Sequence, residues 1–185
     1  MRTFVVLMRG INVGAARAMP MADLRNLCAK LGLERPQTYI QSGNLLVDTK
    51  GNGAALGELL EEEITEHFGF AVDVIVRAAA EWEDYVAANP FARDAKSLPR
   101  MVHLYVPRDP LKAGAAKALA PRASLGERIE VTGGALWIDY GANGVARSKL
   151  SPLLIDTACG SPTTGRNWNS VLKIRDMIKD RVSKN

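Results

Sequence analysis

The sequence has little of what most catalytic and metal sites are built from. Only two of its 185 residues are histidines, His67 and His103. Neither has a second ligand at metal spacing, so no zinc or iron site is expected. Ser-His-Asp or Cys-His chemistry would have to use one of these two. His67 falls near the C-terminal end of a helical pattern, where the helix dipole favours it structurally. Two cysteines, Cys28 and Cys159, make no disulfide framework. Cys28 sits on an apolar helical face as inert core, and nothing beside Cys159 marks it as activated. The acids Glu61, Glu62 and Glu63 read as a solvated face rather than a catalytic carboxylate pair. Neither G-x-x-x-x-G-K-[ST] nor G-x-G-x-x-G occurs, which removes the nucleotide fingerprints, and no cofactor is expected. No apolar run approaches the ~20 residues needed to cross a bilayer. The run 4–8, ended by Arg9, is too short for a signal-peptide apolar region. A cytoplasmic protein without a membrane partner is expected.

Apolar residues make up 47% of the chain, enough for one large core or two small ones. The formal net charge is +4, which permits a polyanionic partner without arguing for one. The charge is unevenly spread. Residues 1–22 contain Arg2, Arg9 and Arg17 and no acid, and residues 142–185 carry eight bases, Lys184 among them, against three acids. Glu58, Glu61, Glu62, Glu63 and Glu66 cluster in the middle, so the two ends are the electropositive part.

Residues 3–9 are β-rich and apolar on both faces, which predicts a strand covered on both sides. A loop with two glycines follows, Arg9-Gly10-Ile11-Asn12-Val13-Gly14. Met21, Leu24, Leu27, Cys28 and Leu31 then recur at helical spacing, with Pro20 suited to the first turn and Gly32 as the stop. Runs 37–40 and 45–48 read as strands joined by Gln41-Ser42-Gly43-Asn44, which is hairpin chemistry. Leu56, Leu59, Leu60, Ile64 and Phe68 give a second amphipathic helix, and 72–76 a strand. The order is β-α-β-β-α-β. A connecting helix is predicted over 79–88 and a linker over 93–99. The order then repeats: strand 101–106, helix 111–119, strands 128–131 and 136–140 around Gly133-Gly134, helix 149–159 and a short strand near 162–164. A helix from about Asn167 closes the chain. The expected fold is α+β, two tandem ferredoxin-like (βαββαβ, α/β plait) units with a connecting helix and a C-terminal helix, divided as 1–92 and 93–185.

Four segments, Arg9-Gly10-Ile11-Asn12-Val13-Gly14, Thr38-Tyr39-Ile40-Gln41-Ser42-Gly43-Asn44, Arg147-Ser148-Lys149-Leu150 and 166–173 (RNWNSVLK), together resemble a bacterial family catalogued as domain of unknown function 1697. The resemblance spans nearly the whole chain with the motifs in order. It implies two α/β-plait subdomains and no particular activity. Ala15 and Ala16 depart from the pattern, standing where relatives often carry another glycine and a polar residue.

These motifs suggest an anion site. Gly10 and Gly14 let successive N–H groups approach a phosphate or carboxylate near a helix start, with Arg9 and Asn12 beside them. Ser42 and Asn44 are more than a minimal hairpin turn needs. Asn167 suits an N-cap, Arg166 stands just outside it, and Arg147 and Lys149 add charge at another helix start. The expected function is binding of a small anionic ligand, phosphorylated ligands included, in a cleft formed by the 9–14 loop, the 41–44 turn and the start of the last helix at Arg166-Asn167-Trp168. One alternative is an enzyme that uses the same cleft by electrostatic stabilisation. The other, a nucleic-acid binder, is less favoured. Its best surface would be a common face of His103, Tyr105 and Trp137, read from strand alternation, against Leu104, Val106, Leu136 and Ile138. Burial of that face is the simpler reading.

Overall fold

The first strand sets the architecture. The computed structural model describes residues 1–183, so Lys184 of the basic C-terminal segment lies outside the described residues. β1 (Arg2–Met8) is buried at every position from Phe4 to Met8, as its unbroken apolar run requires. It pairs antiparallel with β3 (Asn44–Thr49) and β4 (Val74–Ala78), and β3 pairs with β2 (Glu34–Tyr39), giving the order β2-β3-β1-β4. Phe4, Val6, Met8, Leu45 and Val47 point to one face and pack against Leu24 and Cys28 of α1 (Met21–Lys30) and Leu60 and Ile64 of α2 (Gly53–Phe68). Val5, Leu7 and Leu46, on the other face, are equally buried.

Local chemistry explains where these helices stop. Gly32 takes φ +73 after α1; its amide bonds Ala29 and that of Leu33 reaches back to Cys28, a complete Schellman closure. Asn52 caps α2 by accepting the Ala55 amide at 2.8 Å, and Gly69 ends it at φ +77. The strand expected over 72–76 begins two residues later, at Val74.

The second unit repeats the element order. β5 (Val102–Pro107), α4 (Ala115–Leu119), β6 (Arg128–Thr132), β7 (Ala135–Asp139), α5 (Pro152–Cys159) and β8 (Thr163–Asn167) form a second four-stranded antiparallel sheet, ordered β6-β7-β5-β8. Gly133 and Gly134, both at positive φ, make the two-residue reversal between β6 and β7. Two helices are shorter than expected. α4 waits for Gly114, whose φ of +81 breaks the run from 111. α5 starts at Pro152 rather than 149, because Ser151 is its N-cap and proline suits the first helical position. Leu119, Leu136, Ile138, Leu150 and Ile155 form this unit's core.

The connecting helix α3 (Ala79–Ala87) and the last helix α6 (Trp168–Val182) complete six α-helices among the described residues. The chain forms two compact units, Met1–Trp82 joined by the chain from Asp176, and Glu83–Arg175. The last turn of α6 is tied into the first unit by Arg181. This side chain, 6% exposed, donates to Asp48 Oδ1 at 3.2 Å, to the Leu46 carbonyl at 3.1 Å and to the Arg35 carbonyl. Asp48 also accepts from Thr3 Oγ1 at 2.6 Å and from Arg35. Burial works to raise its carboxyl, but the Thr3 hydroxyl and the two guanidiniums hold it below the usual range. Among the described residues no helix is long and apolar enough to cross a membrane.

Candidate functional site

In the first unit the loop after β1 and the β2–β3 turn are built against each other. Gly43 makes the approach: its carbonyl accepts the Met8 amide at 2.9 Å, and at φ +80 a Cβ would stand 2.8 Å from the Met8 carbonyl oxygen. Asn12 makes the link. Its Nδ2 donates to the Gln41 carbonyl at 2.8 Å and to the Met19 carbonyl at 3.2 Å, while its Oδ1 accepts the Met19 amide at 2.8 Å. One side chain therefore closes the loop and fastens it to the turn.

Along 10–14 the backbone alternates in handedness. Gly10, Asn12 and Gly14 sit at φ +64, +55 and +74 with Ile11 and Val13 between them. Such alternation turns successive N–H groups to one side and makes an anion-binding concavity. The Asn12 amide is used by the Arg17 carbonyl. Among the described residues no protein acceptor takes the amides of Gly10, Val13 or Gly14. The loop does not run into α1. A short 3-10 turn over Ala15–Arg17 and the segment to Pro20 intervene, so the amides of 10–14, not a helix start, are what the loop presents.

The cations differ in how they are held. Arg9 forms an ion pair with Asp73 at 3.4 Å, and the Arg9 amide bonds the Asp73 carbonyl at 3.1 Å. Arg17 was not singled out as a site residue, yet its guanidinium is fixed by carbonyls: Nε donates to Gly10 at 2.6 Å and Nη2 to Ala71 at 2.8 Å. It lies 5.1 Å from the centre of the Phe70 ring. Among the described residues no carboxylate pairs with it. Its sequence signal was membership of the acid-free run 1–22. In the turn, Asn44 is fully buried and its Nδ2 donates to the Tyr39 carbonyl and to Ser42 Oγ, both at 3.1 Å, so it braces the hairpin while Ser42 stays exposed.

The remaining candidates lie in the second unit. Arg166 stands just before the N-cap of α6, but as a residue of β8 with its side chain turned into the unit. It is buried, donates from Nη1 to Thr164 Oγ1 at 2.7 Å and to the Gly165 carbonyl at 2.8 Å, and burial brings it down to about 10. Asn167 caps α6, accepting the Ser170 amide at 3.0 Å. Arg147 ends a 3-10 turn and Lys149 precedes α5; both are exposed.

Strand register corrects the expected aromatic face. Leu104 pairs with Trp137, while His103 pairs with Ile138 and Tyr105 with Leu136. Paired residues share a face in an antiparallel ladder, so Trp137 lies opposite His103 and Tyr105. Trp137 is fully buried, 5.9 Å from Trp168. On the other side His103 contacts Tyr105 and Tyr140, and the two tyrosine hydroxyls bond at 2.6 Å. Burial holds the His103 imidazole below its usual range, against the pull of its bond to the Arg100 carbonyl. No stack of the three rings exists for a base to join. Cys28 and Cys159 are both buried free thiols. Among the described residues no group of three His, Cys, Asp or Glu could hold a metal ion.

Comparison with known proteins finds no match among curated proteins. Among solved structures, a conserved bacterial protein from Streptococcus pneumoniae is similar at 25% identity and a TM-score of 0.73, over 97% of this chain and 99% of that one. Residues 1–137 match the family described as Protein of unknown function (DUF1697), and the chain belongs to that family.

Proposed function

We propose that this chain binds a small anion at the loop–turn cluster of its first unit. One observation supports the reading above others. Among the described residues, a guanidinium held by two carbonyls and an aromatic ring, without a carboxylate, stands beside a loop whose Gly10, Val13 and Gly14 amides have no protein acceptor. A fixed charge with converging N–H groups suits phosphate or carboxylate oxygens. In this reading Arg17 supplies the charge and Arg9 adds a contribution reduced by Asp73. Gly10 and Gly14 cradle, Asn12 fixes the loop on the turn, and Ser42, braced by Asn44, reaches the rim. Arg166 and Asn167 have structural partners in the second unit and are not assigned to this site. We read the strand orders of both sheets as ferredoxin-like plaits and the protein as cytoplasmic.

The test is a thermal-shift screen of phosphate, sulfate and phosphorylated metabolites, followed by titration calorimetry. A ligand that prefers the native state raises the melting temperature. Arg17→Ala should weaken a hit about tenfold or more, the loss of one charge-assisted contact. A screen in which no hit is weakened by Arg17→Ala, or a screen with no hit, refutes the assignment.

A further inference from the structure

The Arg147-Ser148-Lys149-Leu150 motif has no part in the site above, yet it is firmly built. Ser148 Oγ donates to Glu127 Oε1 at 2.6 Å and accepts the Leu150 amide at 3.2 Å. Glu127 is buried, and its second oxygen takes the Leu125 amide at 2.8 Å. Asn143 Nδ2 ties the same segment through the Leu125 carbonyl at 2.9 Å. Leu150 is 5% exposed in the core of its unit. Lys149 thus lies between two pinned residues with its side chain outside.

That lysine helps to line a hollow of about 380 Å³ with Arg122, Ser151, Leu153, Leu154 and Thr157. The volume is in the range of small-molecule sites. Arg122 reaches it from the turn after α4, so the two cations come from different segments. Among the described residues neither side-chain cation makes a hydrogen bond or a salt bridge, and no carboxylate lines the hollow; the acid acting on Lys149 is Glu127, which feels its charge without pairing with it. Ser151 Oγ accepts the Leu154 amide, which leaves its own O–H to donate. The Thr157 hydroxyl already donates to the Leu153 carbonyl at 2.8 Å. The donor set is therefore two cations and one hydroxyl, facing an apolar wall of Leu153, 75% exposed, and Leu154. Two cations suit a dianion better than a single carboxylate, and the leucines suit an apolar group attached to it.

We propose that this hollow is a second anion site, one that takes phosphate monoesters carrying a small apolar substituent. Arg122 and Lys149 hold the phosphate, Ser151 donates to it, and Leu153 and Leu154 cover the substituent.

Phenyl phosphate and inorganic phosphate are titrated separately into the full isotope-labelled chain, and amide shifts are followed by NMR. Phenyl phosphate should give saturable shifts at Lys149, Ser151 and Leu153, and inorganic phosphate weaker binding at the same amides. Lys149→Gln and Arg122→Gln, both changes to side chains that make no hydrogen bond or salt bridge among the described residues, should each weaken phenyl phosphate about tenfold. Arg17→Ala should leave these shifts unchanged, which separates this site from the one in the first unit. Absence of saturable shifts overturns the proposal, as does binding undiminished in a chain carrying both Lys149→Gln and Arg122→Gln.

Discussion

Gly43→Ala is the sharpest test of whether the loop and the turn in the first unit are truly pressed together. Two costs are expected. Gly43 sits at φ +80, where a residue with a Cβ pays about 1–2 kcal/mol. The new Cβ would also stand 2.8 Å from the Met8 carbonyl oxygen, 2.9 Å from Met8 Cβ and 3.1 Å from Ile11 Cδ1. The first obstacle is backbone, which no rotamer change relieves, so overpacking adds about 1–3 kcal/mol. The total is about 3 kcal/mol. Gly134→Ala supplies the control, because Gly134 has φ +73 with nothing within 4 Å of its Cβ position, and should lose only about 1 kcal/mol. Hydrogen exchange reads each change in its own unit. The Met8 amide, bonded to Gly43, should exchange roughly a hundredfold faster in Gly43→Ala. If Gly43→Ala costs its unit no more than Gly134→Ala costs the other, the contact between the two motifs is not what the geometry says.

Asp48→Asn should destabilise the first unit by about 3–5 kcal/mol at neutral pH, because it leaves Arg181 buried beside a neutral group. Since the Asp48 carboxyl is held below its usual range in the folded chain, the stability it contributes is present above about pH 4. That contribution is lost as pH falls through the lowered folded value. Denaturant melts at a series of pH values should therefore show an acid limb in the parent protein that is flatter in Asp48→Asn, and parallel limbs would refute the assignment. Burial pushes the Cys28 thiol up to about 12 and raises that of Cys159. An aromatic disulfide reagent should label neither cysteine in the native protein and both in denaturant; rapid native labelling of either would contradict their burial.

What the sequence disclosed follows from the range of the forces involved. The unbroken apolar run of β1 demanded cover on two sides, and Gly32, Gly133 and Gly134 marked stops and reversals by local backbone chemistry alone. Even the short β8 was foreseeable from the repeated element order. Contacts between distant segments were not. Alternation along β5 and β7 says which residues of one strand share a face. It does not say how the strands are registered, and register put Trp137 on the opposite face from His103 and Tyr105. The place of Arg166 just outside the Asn167 cap was legible; that its side chain is buried was not, because that depends on the β5–β8 pairing. For the candidate site, the loop and turn motifs were visible as strings. That Asn12 joins them, or that Arg17 rather than Arg9 is the cation without an acid, depends on carbonyls far along the chain. Ser151-Pro152 was the readable signal for the start of α5, and the apolar residues that follow obscured it.

The tie between Asp48 and Arg181 also orders events during synthesis. The partners are 133 positions apart in the chain. On the ribosome the first sheet emerges early with an aspartate and an arginine still lacking their third partner, while every strand of the second unit follows and can pair at once. The unit that is made first is thus completed last, and a nascent chain stalled short of Arg181 would hold one finished half and one waiting half.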